Sequence, residues 1–270
     1  MDALDPRAML AIAEAALDEV EGLFTEHVGA NPVVHKPQGD FATEADLLIE
    51  QRLRELLTGY TGIAVYGEEF GGRKPLDDTA WVIDPIDGTT NYAAGYPMSA
   101  MLLALMHQGQ PIVGITSMPT LRRRVTAARD TGTFVNGRRV TINSGTRRPT
   151  AIAFGSVISS PDAEFPLDWR QLLLARVGQQ FPTIRISGSV GVDLATTAVG
   201  AFGGTITFSP HVWDNAAGVL QVREAGGVVT DLEGRDWSPH SLGVLAGIPE
   251  VHQELRKIID SLGKPIAFRR

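Results

Sequence analysis

The chain has 270 residues, 43% hydrophobic and 20% charged, which is enough apolar material for one large domain or two closely packed halves and excludes a disordered or fibrous protein. It has no cysteine, so disulfides and thiolate metal sites are ruled out, and no apolar run approaches the roughly 18 residues of a membrane span. A net charge of −7 fits nucleic acid poorly, and the opening around Asp2 and Asp5 lacks the pattern of a secretory signal, so a cytoplasmic protein without membrane contact is expected.

Met9, Leu10, Ile12, Ala13, Ala16, Leu17, Val20 and Leu23 form a helical stripe over residues 6–27, with Glu14, Asp18, Glu19 and Glu21 off it. A second helix is predicted from Ala45 to about Leu57, with Thr43 ahead of it as N-cap. Ile63 to Gly67 reads as a short strand running into Glu68-Glu69. Trp81-Val82-Ile83-Asp84 has the unbroken apolar pattern of a buried strand, which Pro85 and Gly88 are expected to stop. Strands follow near 98–106 and 111–117, then a hairpin joining Arg124–Ala128 to Thr133–Val135, with Asn136-Gly137 turning into the next strand. The basic run Arg122-Arg123-Arg124 falls at the edge of that hairpin and reads as a solvated strand end.

Ser144 to Pro149 is the predicted seam between an α+β half, residues 1–146, and an α/β half, residues 147–270. The second half is read as a strand at Ala151–Val157 and a helix around Trp169–Val177. Ile184-Arg185-Ile186 then leads to Gly188-Ser189, which opens a helix through Ala198. A strand at Thr205–Phe208 precedes a helix capped by Asp214 and running through Ala225. Gly226–Asp231 and Val244–Ala246 are strand-like, and a helix from Pro249 to Leu262 closes the chain.

Most of the chemistry lies at Asp84-Pro85-Ile86-Asp87-Gly88-Thr89. Two aspartates three apart sit at the carboxyl edge of a strand, where ligand sites of layered α/β folds lie. Proline interrupts the ladder and frees the Ile86 carbonyl as a neutral oxygen ligand. A helix or turn starting at Gly88 would offer the N–H groups of Gly88 and Thr89 to a phosphate oxygen. Glu68 and Glu69 bring the set to four carboxylates, the hard oxygen donors that Mg²⁺ takes alongside water and substrate phosphate. Without a cation such a cluster repels itself, and at least one member is driven to protonate. Taken singly, Asp-x-x-Asp or Glu-Glu is also what an exposed turn or a helix cap presents.

The ensemble is more specific. Trp-Val-Ile before Asp-Pro-Ile-Asp-Gly-Thr, Gly-Glu-Glu upstream, and His211-Val212-Trp213-Asp214 with Glu224-Ala225-Gly226-Gly227 downstream resemble the inositol monophosphatase family. Its superfamily also includes fructose-1,6-bisphosphatases and 3′-phosphonucleotidases. The resemblance runs from about Lys36 to Ala246. It implies a layered αβαβα sandwich with the site between the halves, a homodimer, roughly two or three Mg²⁺ per site, and lithium sensitivity. It further implies that Glu68, Asp84 and the Ile86 carbonyl hold one metal, and that Asp84 bridges to a second completed by Asp87 and Asp214. A third, weaker ion would share Glu68. Thr89 and Asp46, from Thr43-x-x-Asp46, would position and activate the attacking water, and the Gly88 and Thr89 amides would steady the phosphate. Glu69 takes a supporting role, and Lys36 matches a lysine near the mouth of the site. Gly188-Ser189-Val190 matches a segment whose backbone borders substrate, and Arg185 fits the family's arginine at that strand end. Asp193, one helical turn on, either reaches a substrate hydroxyl or stays on the helix surface.

One position departs from the pattern. Inositol-specific members carry a glutamate seven residues before the Trp-Asp aspartate, and here Thr207 stands there. Losing one charge-assisted contact is worth on the order of 1.5–3 kcal/mol, enough to shift preference among polyol phosphates. The expected activity is Mg²⁺-dependent hydrolysis of a small polyol phosphate, inositol 1-phosphate first. Histidinol phosphate and fructose 1,6-bisphosphate on the same scaffold are the alternatives, together with a regulatory or RNA-machinery-binding role. No P-loop or dinucleotide fingerprint is present, and the histidines show no paired zinc spacing. His211 is expected to pack or hydrogen-bond, and Gly188-Ser189 lacks the flanks of a nucleophile elbow.

Overall fold

Helix α1 (Pro6–Glu26) starts where the Asp5 carboxylate accepts the Arg7 N–H at 2.9 Å, with proline in the first turn, and it buries the stripe from Ala13 to Phe24. The structure is a computed structural model, and it describes residues 4–36, 41–142, 151–160 and 163–268. Two short strands, β1 (Pro32–His35) and β2 (Phe41–Thr43), pair antiparallel and lead into α2 (Glu44–Thr61). α2 runs one turn beyond Leu57 and ends on Gly62 in the left-handed region, φ 67°, whose N–H returns to the Thr58 carbonyl.

The first sheet contains β3 (Val65–Gly67), β4 (Ala80–Asp87), β5 (Ala100–His107), β6 (Gln110–Met118), β7 (Arg123–Ala128), β8 (Gly132–Val135) and β9 (Arg138–Val140), in that spatial order. β3 and β4 are parallel and the rest antiparallel. The short helix α3 (Thr89–Ala93) follows β4 directly. Pro85 does not stop β4 as expected. The strand continues to Asp87, and its pairing with β5 slips between Asp84 and Asp87. Proline cannot donate to the ladder, but its fixed φ suits extended chain, so the register breaks while the direction holds.

The second sheet has the order β11-β10-β12-β14-β13, formed by β10 (Ala151–Phe154), β11 (Thr183–Arg185), β12 (Gly204–Thr207), β13 (Val228–Thr230) and β14 (Val244–Gly247). β10, β11 and β12 are parallel, while β14 is antiparallel to both neighbours, so the alternating strands and helices build a mixed sheet. The predicted seam at 144–149 lies outside the described residues.

Helices complete the layers. α1 and α2 cover one face of the first sheet, and α5 (Val190–Ala198) and α6 (Val212–Glu224) lie between the sheets. α4 (Leu167–Gln180) and α7 (Pro249–Ser261) pack together, with α7 on the outer face of the second sheet. The stack is therefore α-β-α-β-α, the expected sandwich. One hydrophobic cluster joins Val82, Ala104 and Met106 to α6 and the second sheet, and another lies between α1, α2 and the first sheet. The close approach of α6 to β6 depends on Gly114, where a Cβ would stand 2.6 Å from the Ala217 carbonyl oxygen. No described helix is long and apolar enough to cross a membrane.

Candidate active site

The carboxyl ends of β3 and β4 and the starts of α3, α5 and α6 meet around a polar cavity of about 200 Å³. Glu68 enters from the end of β3, and Asp84, Ile86 and Asp87 from β4. Gly88, Thr89 and Thr90 come from the start of α3, Gly188 from the turn before α5, and Asp214 from the first turn of α6. Gly88 has φ 82°, and a Cβ there would stand 2.9 Å from the Met98 carbonyl, so both conformation and space require glycine. Asn91 ties α3 to the turn before α5 at this point, donating to the carbonyls of Met98 at 2.7 Å and Ser187 at 2.8 Å.

Each carboxylate is held by identifiable partners. Asp84 is 2% exposed and accepts the Ile86 N–H at 3.1 Å, with the Glu68 and Asp214 carboxyl groups beside it. Asp87 accepts from the Ser189 hydroxyl, from Val190 N at 3.2 Å and from Gly191 N at 2.7 Å, so the first turn of α5 binds a side chain of β4. Asp214 accepts from the Ser209 hydroxyl. It is not the cap of α6; that position is His211, and Asp214 sits inside the first turn, where a carboxylate also complements the helix dipole. The His211 ring stacks on Trp213, with centroids 4.5 Å apart, which realises the packing role expected of it.

Behind Thr89, the buried Asp46 accepts through Oδ2 from both the Thr43 N–H at 2.7 Å and the Thr43 hydroxyl at 2.6 Å. Its Oδ1 lies 3.5 Å from the Thr89 hydroxyl, which donates to the Ile86 carbonyl at 2.9 Å. Lys36 is no freely solvated lysine: its ammonium bonds Glu68 at 2.7 Å and Glu69 at 2.6 Å. Burial opposes its charge, but those two bonds outweigh burial and hold its pKa above the ordinary lysine value.

Burial governs the electrostatics of the acids. It pushes Asp84 well above the usual carboxylate range, with repulsion from Glu68, Asp87 and Asp214 adding to it. Asp214 moves the same way, through burial and then Asp87 and Glu68, although the Ser209 and Asp84 bonds resist. Asp87 is pushed up to about 6 by burial, against the stabilising bonds from Ser189, Gly191 and Val190. Asp46 rises to about 6 and Glu69 to about 7, again chiefly through burial, with the bonds from Thr43 and Lys36 opposing. Among the described residues no three acids are drawn round a single point as an enclosing cage; they turn to one another and to Lys36. Their chemistry nonetheless fits a hard divalent cation, because crowded, buried oxygen donors of raised pKa gain most from a positive partner.

Other expected residues fall elsewhere. Ser189 and Val190 address Asp87 directly. Arg185 is exposed, bonds the Ile184 carbonyl at 3.0 Å, and does not line the cavity, because β11 is the edge strand of its sheet. Thr207 is fully buried and donates to Asn215 Oδ1 at 3.2 Å, so its side chain faces the interior. Asp193 is 2% exposed, which overturns the helix-surface alternative; burial first, then the charge of Asp87, raises its pKa to about 8 against a bond from Ser187. Sequence reasoning missed Thr90, Ser209 and the buried Glu50, which accepts backbone N–H groups of the acidic turn. The clue to Glu50 was a carboxylate four residues after Asp46, beside Ile49 and Leu53 on the buried face of α2.

Comparison with known proteins gives consistent matches. The model of the family described as "Inositol monophosphatase family" matches residues 5–263. A Mycobacterium tuberculosis protein named "Probable inositol 1-monophosphatase ImpA" is 42% identical over 254 residues, covering 94% of each chain. A "Nus factor SuhB" of Xylella fastidiosa is 33% identical over 95% of this chain and 93% of its own. Among solved structures, the extragenic suppressor protein suhB of Bartonella henselae superposes with a TM-score of 0.84 at 28% identity, covering 93% of this chain and 98% of that one.

Proposed function

The chain belongs to the inositol monophosphatase family, a family of phosphoric monoester hydrolases, and from that premise we propose that it is a Mg²⁺-dependent phosphatase of a small polyol phosphate, inositol 1-phosphate first. The observation that carries this reading is the gathering of Glu68, Asp84, Asp87 and Asp214 on one polar cavity, with the three aspartates raised in pKa. Glu68, Asp84, the Ile86 carbonyl, Asp87 and Asp214 would hold the metal ions. Bound there, the ions supply a lowered pKa for the attacking water and neutralise charge on the phosphate oxygens.

The remaining roles belong to the chain itself. The first-turn N–H groups of α3 have no partner within the helix, which suits Gly88 and Thr89 to a phosphate oxygen. The Thr89 hydroxyl, which donates to the Ile86 carbonyl and lies 3.5 Å from Asp46 Oδ1, would turn its proton to Asp46 as it accepts one from the attacking water, so that the proton lost by the water ends on Asp46 and Thr89 stays a hydroxyl. A carboxylate titrating at about 6 is well matched to accept that proton near neutral pH. Lys36 neutralises Glu68 and Glu69 at the cavity wall and yields as ligands arrive. Homodimer formation and inhibition by Li⁺ belong to the same reading.

A phosphate-release panel tests it, with inositol 1-phosphate, histidinol phosphate, fructose 1,6-bisphosphate and 3′-phosphoadenosine 5′-phosphate, each with and without Mg²⁺. Fastest Mg²⁺-dependent release from inositol 1-phosphate is the expected result. The identity to a Nus factor SuhB favours a regulatory second reading, which release from none of the four would support.

A further inference from the structure

One turn along α2 from Asp46 lies a charged pair that the proposed chemistry leaves unused. Glu50 is fully buried, and its carboxylate accepts the Glu69 N–H at 2.7 Å, the Phe70 N–H at 3.1 Å and the Arg54 Nε–H at 2.8 Å. Arg54 continues to the carbonyls of Val65, at 3.2 Å, and Gly71, and its guanidinium lies 5.9 Å from the centre of the Phe70 ring. One helix therefore grips the segment from Val65 to Gly71 at both ends and in the middle. Gly67 is matched to the grip, since a Cβ there would fall on the Glu50 carboxylate.

The turn already closes through its own backbone, with Gly67 N–H donating to the Gly71 carbonyl at 3.0 Å. A buried carboxylate is a costly way merely to close it again. What Glu50 adds is direction, because it fixes the peptides that follow Glu68 and Glu69. α2 also carries Asp46, whose carboxylate lies 3.5 Å from the Thr89 hydroxyl, so a single helix is tied both to the acidic turn and to Thr89.

We infer that Glu50 is a positioning residue for the metal-binding acids: acting through the backbone of Glu69 and Phe70, with Arg54 as clamp, it sets where Glu68 and Glu69 stand relative to Asp46 and Asp84. This rests on the reading of Glu68 as a metal ligand. Outer partners of metal ligands characteristically change metal affinity by roughly 10–100-fold when removed. Glu50→Gln keeps the shape but turns an NH₂ group onto a backbone N–H or onto Arg54, so the turn loses its orientation.

Binding of Mn²⁺, followed by loss of the free-ion EPR signal, tests the inference in the full-length protein alongside thermal unfolding. Wild type is expected to bind, and the Glu50→Gln dissociation constant to rise at least about tenfold. Should Glu50→Gln not fold, Gly67→Ala carries the same expectation, since it presses on the carboxylate without removing it. Glu224→Gln is the control, because Glu224 accepts the N–H groups of Asp130, Thr131 and Gly132 in a hairpin turn elsewhere. It should lose stability and keep wild-type Mn²⁺ affinity. Unchanged affinity in Glu50→Gln, or an equal loss in Glu224→Gln, would overturn the inference alone. A wild type that binds no Mn²⁺ would overturn the metal reading and the inference with it.

Discussion

Ser189 has two duties that a single substitution separates. Its hydroxyl donates to Asp87, and the same oxygen accepts the Val192 N–H at 3.2 Å as N-cap of α5. Loss of an N-cap costs about 1 kcal/mol. Loss of a charge-assisted bond adds on the order of 1.5 kcal/mol, the low end of the range, because Val190 and Gly191 continue to donate. Ser189→Ala is thus expected to destabilise by about 2.5 kcal/mol and to lower Tm by roughly 5–10 °C. The second effect is on protonation. Asp87 already titrates at about 6, and losing a donor to its charged form moves it up by roughly one unit. A proton then competes more strongly with a metal ion at pH 6 than at pH 8. Titration calorimetry with Mg²⁺ at both values checks this: the affinity ratio of wild type to variant should be several-fold larger at pH 6, and Ser189→Thr should restore wild-type behaviour. An equal ratio at both pH values, or none, would refute the role assigned to Asp87.

Gly114→Ala should destabilise by about 1–3 kcal/mol in denaturant unfolding, because its Cβ meets backbone of α6 that cannot give way. His252 is buried against Thr230, and burial, with Arg256 beside it, lowers its pKa to about 4. Its unfolded counterpart titrates near 6.5, so the folded state binds fewer protons and stability falls as pH drops from about 6.5 to 4, by up to about 3 kcal/mol. Urea unfolding should show this slope in wild type and a flatter one in His252→Gln. Mg²⁺ binding at pH 6 should release protons, because Asp87 titrates at about 6 and burial raises Asp84 and Asp214 as well, and the release should diminish as pH rises; calorimetry in buffers of different ionisation enthalpy reads the number.

Much of the fold was legible because local signals agreed with tertiary ones. Thr43 marked the start of α2, the apolar runs marked β4 to β6, and Asn136-Gly137 marked a turn. The pairing of Asp84 and Asp87 at the end of one strand was legible because the two are local in sequence. Functions built from long-range contact were not. Nothing near Ser189 announces that its hydroxyl serves a carboxylate 102 residues away. The place of Glu50 on the buried face of α2 could be read from its neighbours, but its partners could not, because Gly67 and the acidic turn meet it only in the fold. Thr207 aligned with a substrate-binding position, yet the pairing of β12 with β14 turns its hydroxyl inward to Asn215. Arg185, by contrast, ends β11 with its guanidinium exposed and bonded to the Ile184 carbonyl, away from the cavity.

Phosphate release from inositol 1-phosphate at saturating Mg²⁺, compared between wild type and Asp84→Asn, decides whether Asp84 anchors a metal-dependent phosphatase centre as proposed. Removing the most crowded carboxylate should relieve repulsion with Glu68, Asp87 and Asp214, so the variant should fold and, without metal, unfold at the same or a higher temperature. Its kcat should nevertheless fall by more than about 10³, the scale of losing a major electrostatic group. A folded Asp84→Asn with near-normal Mg²⁺-dependent turnover would contradict the account.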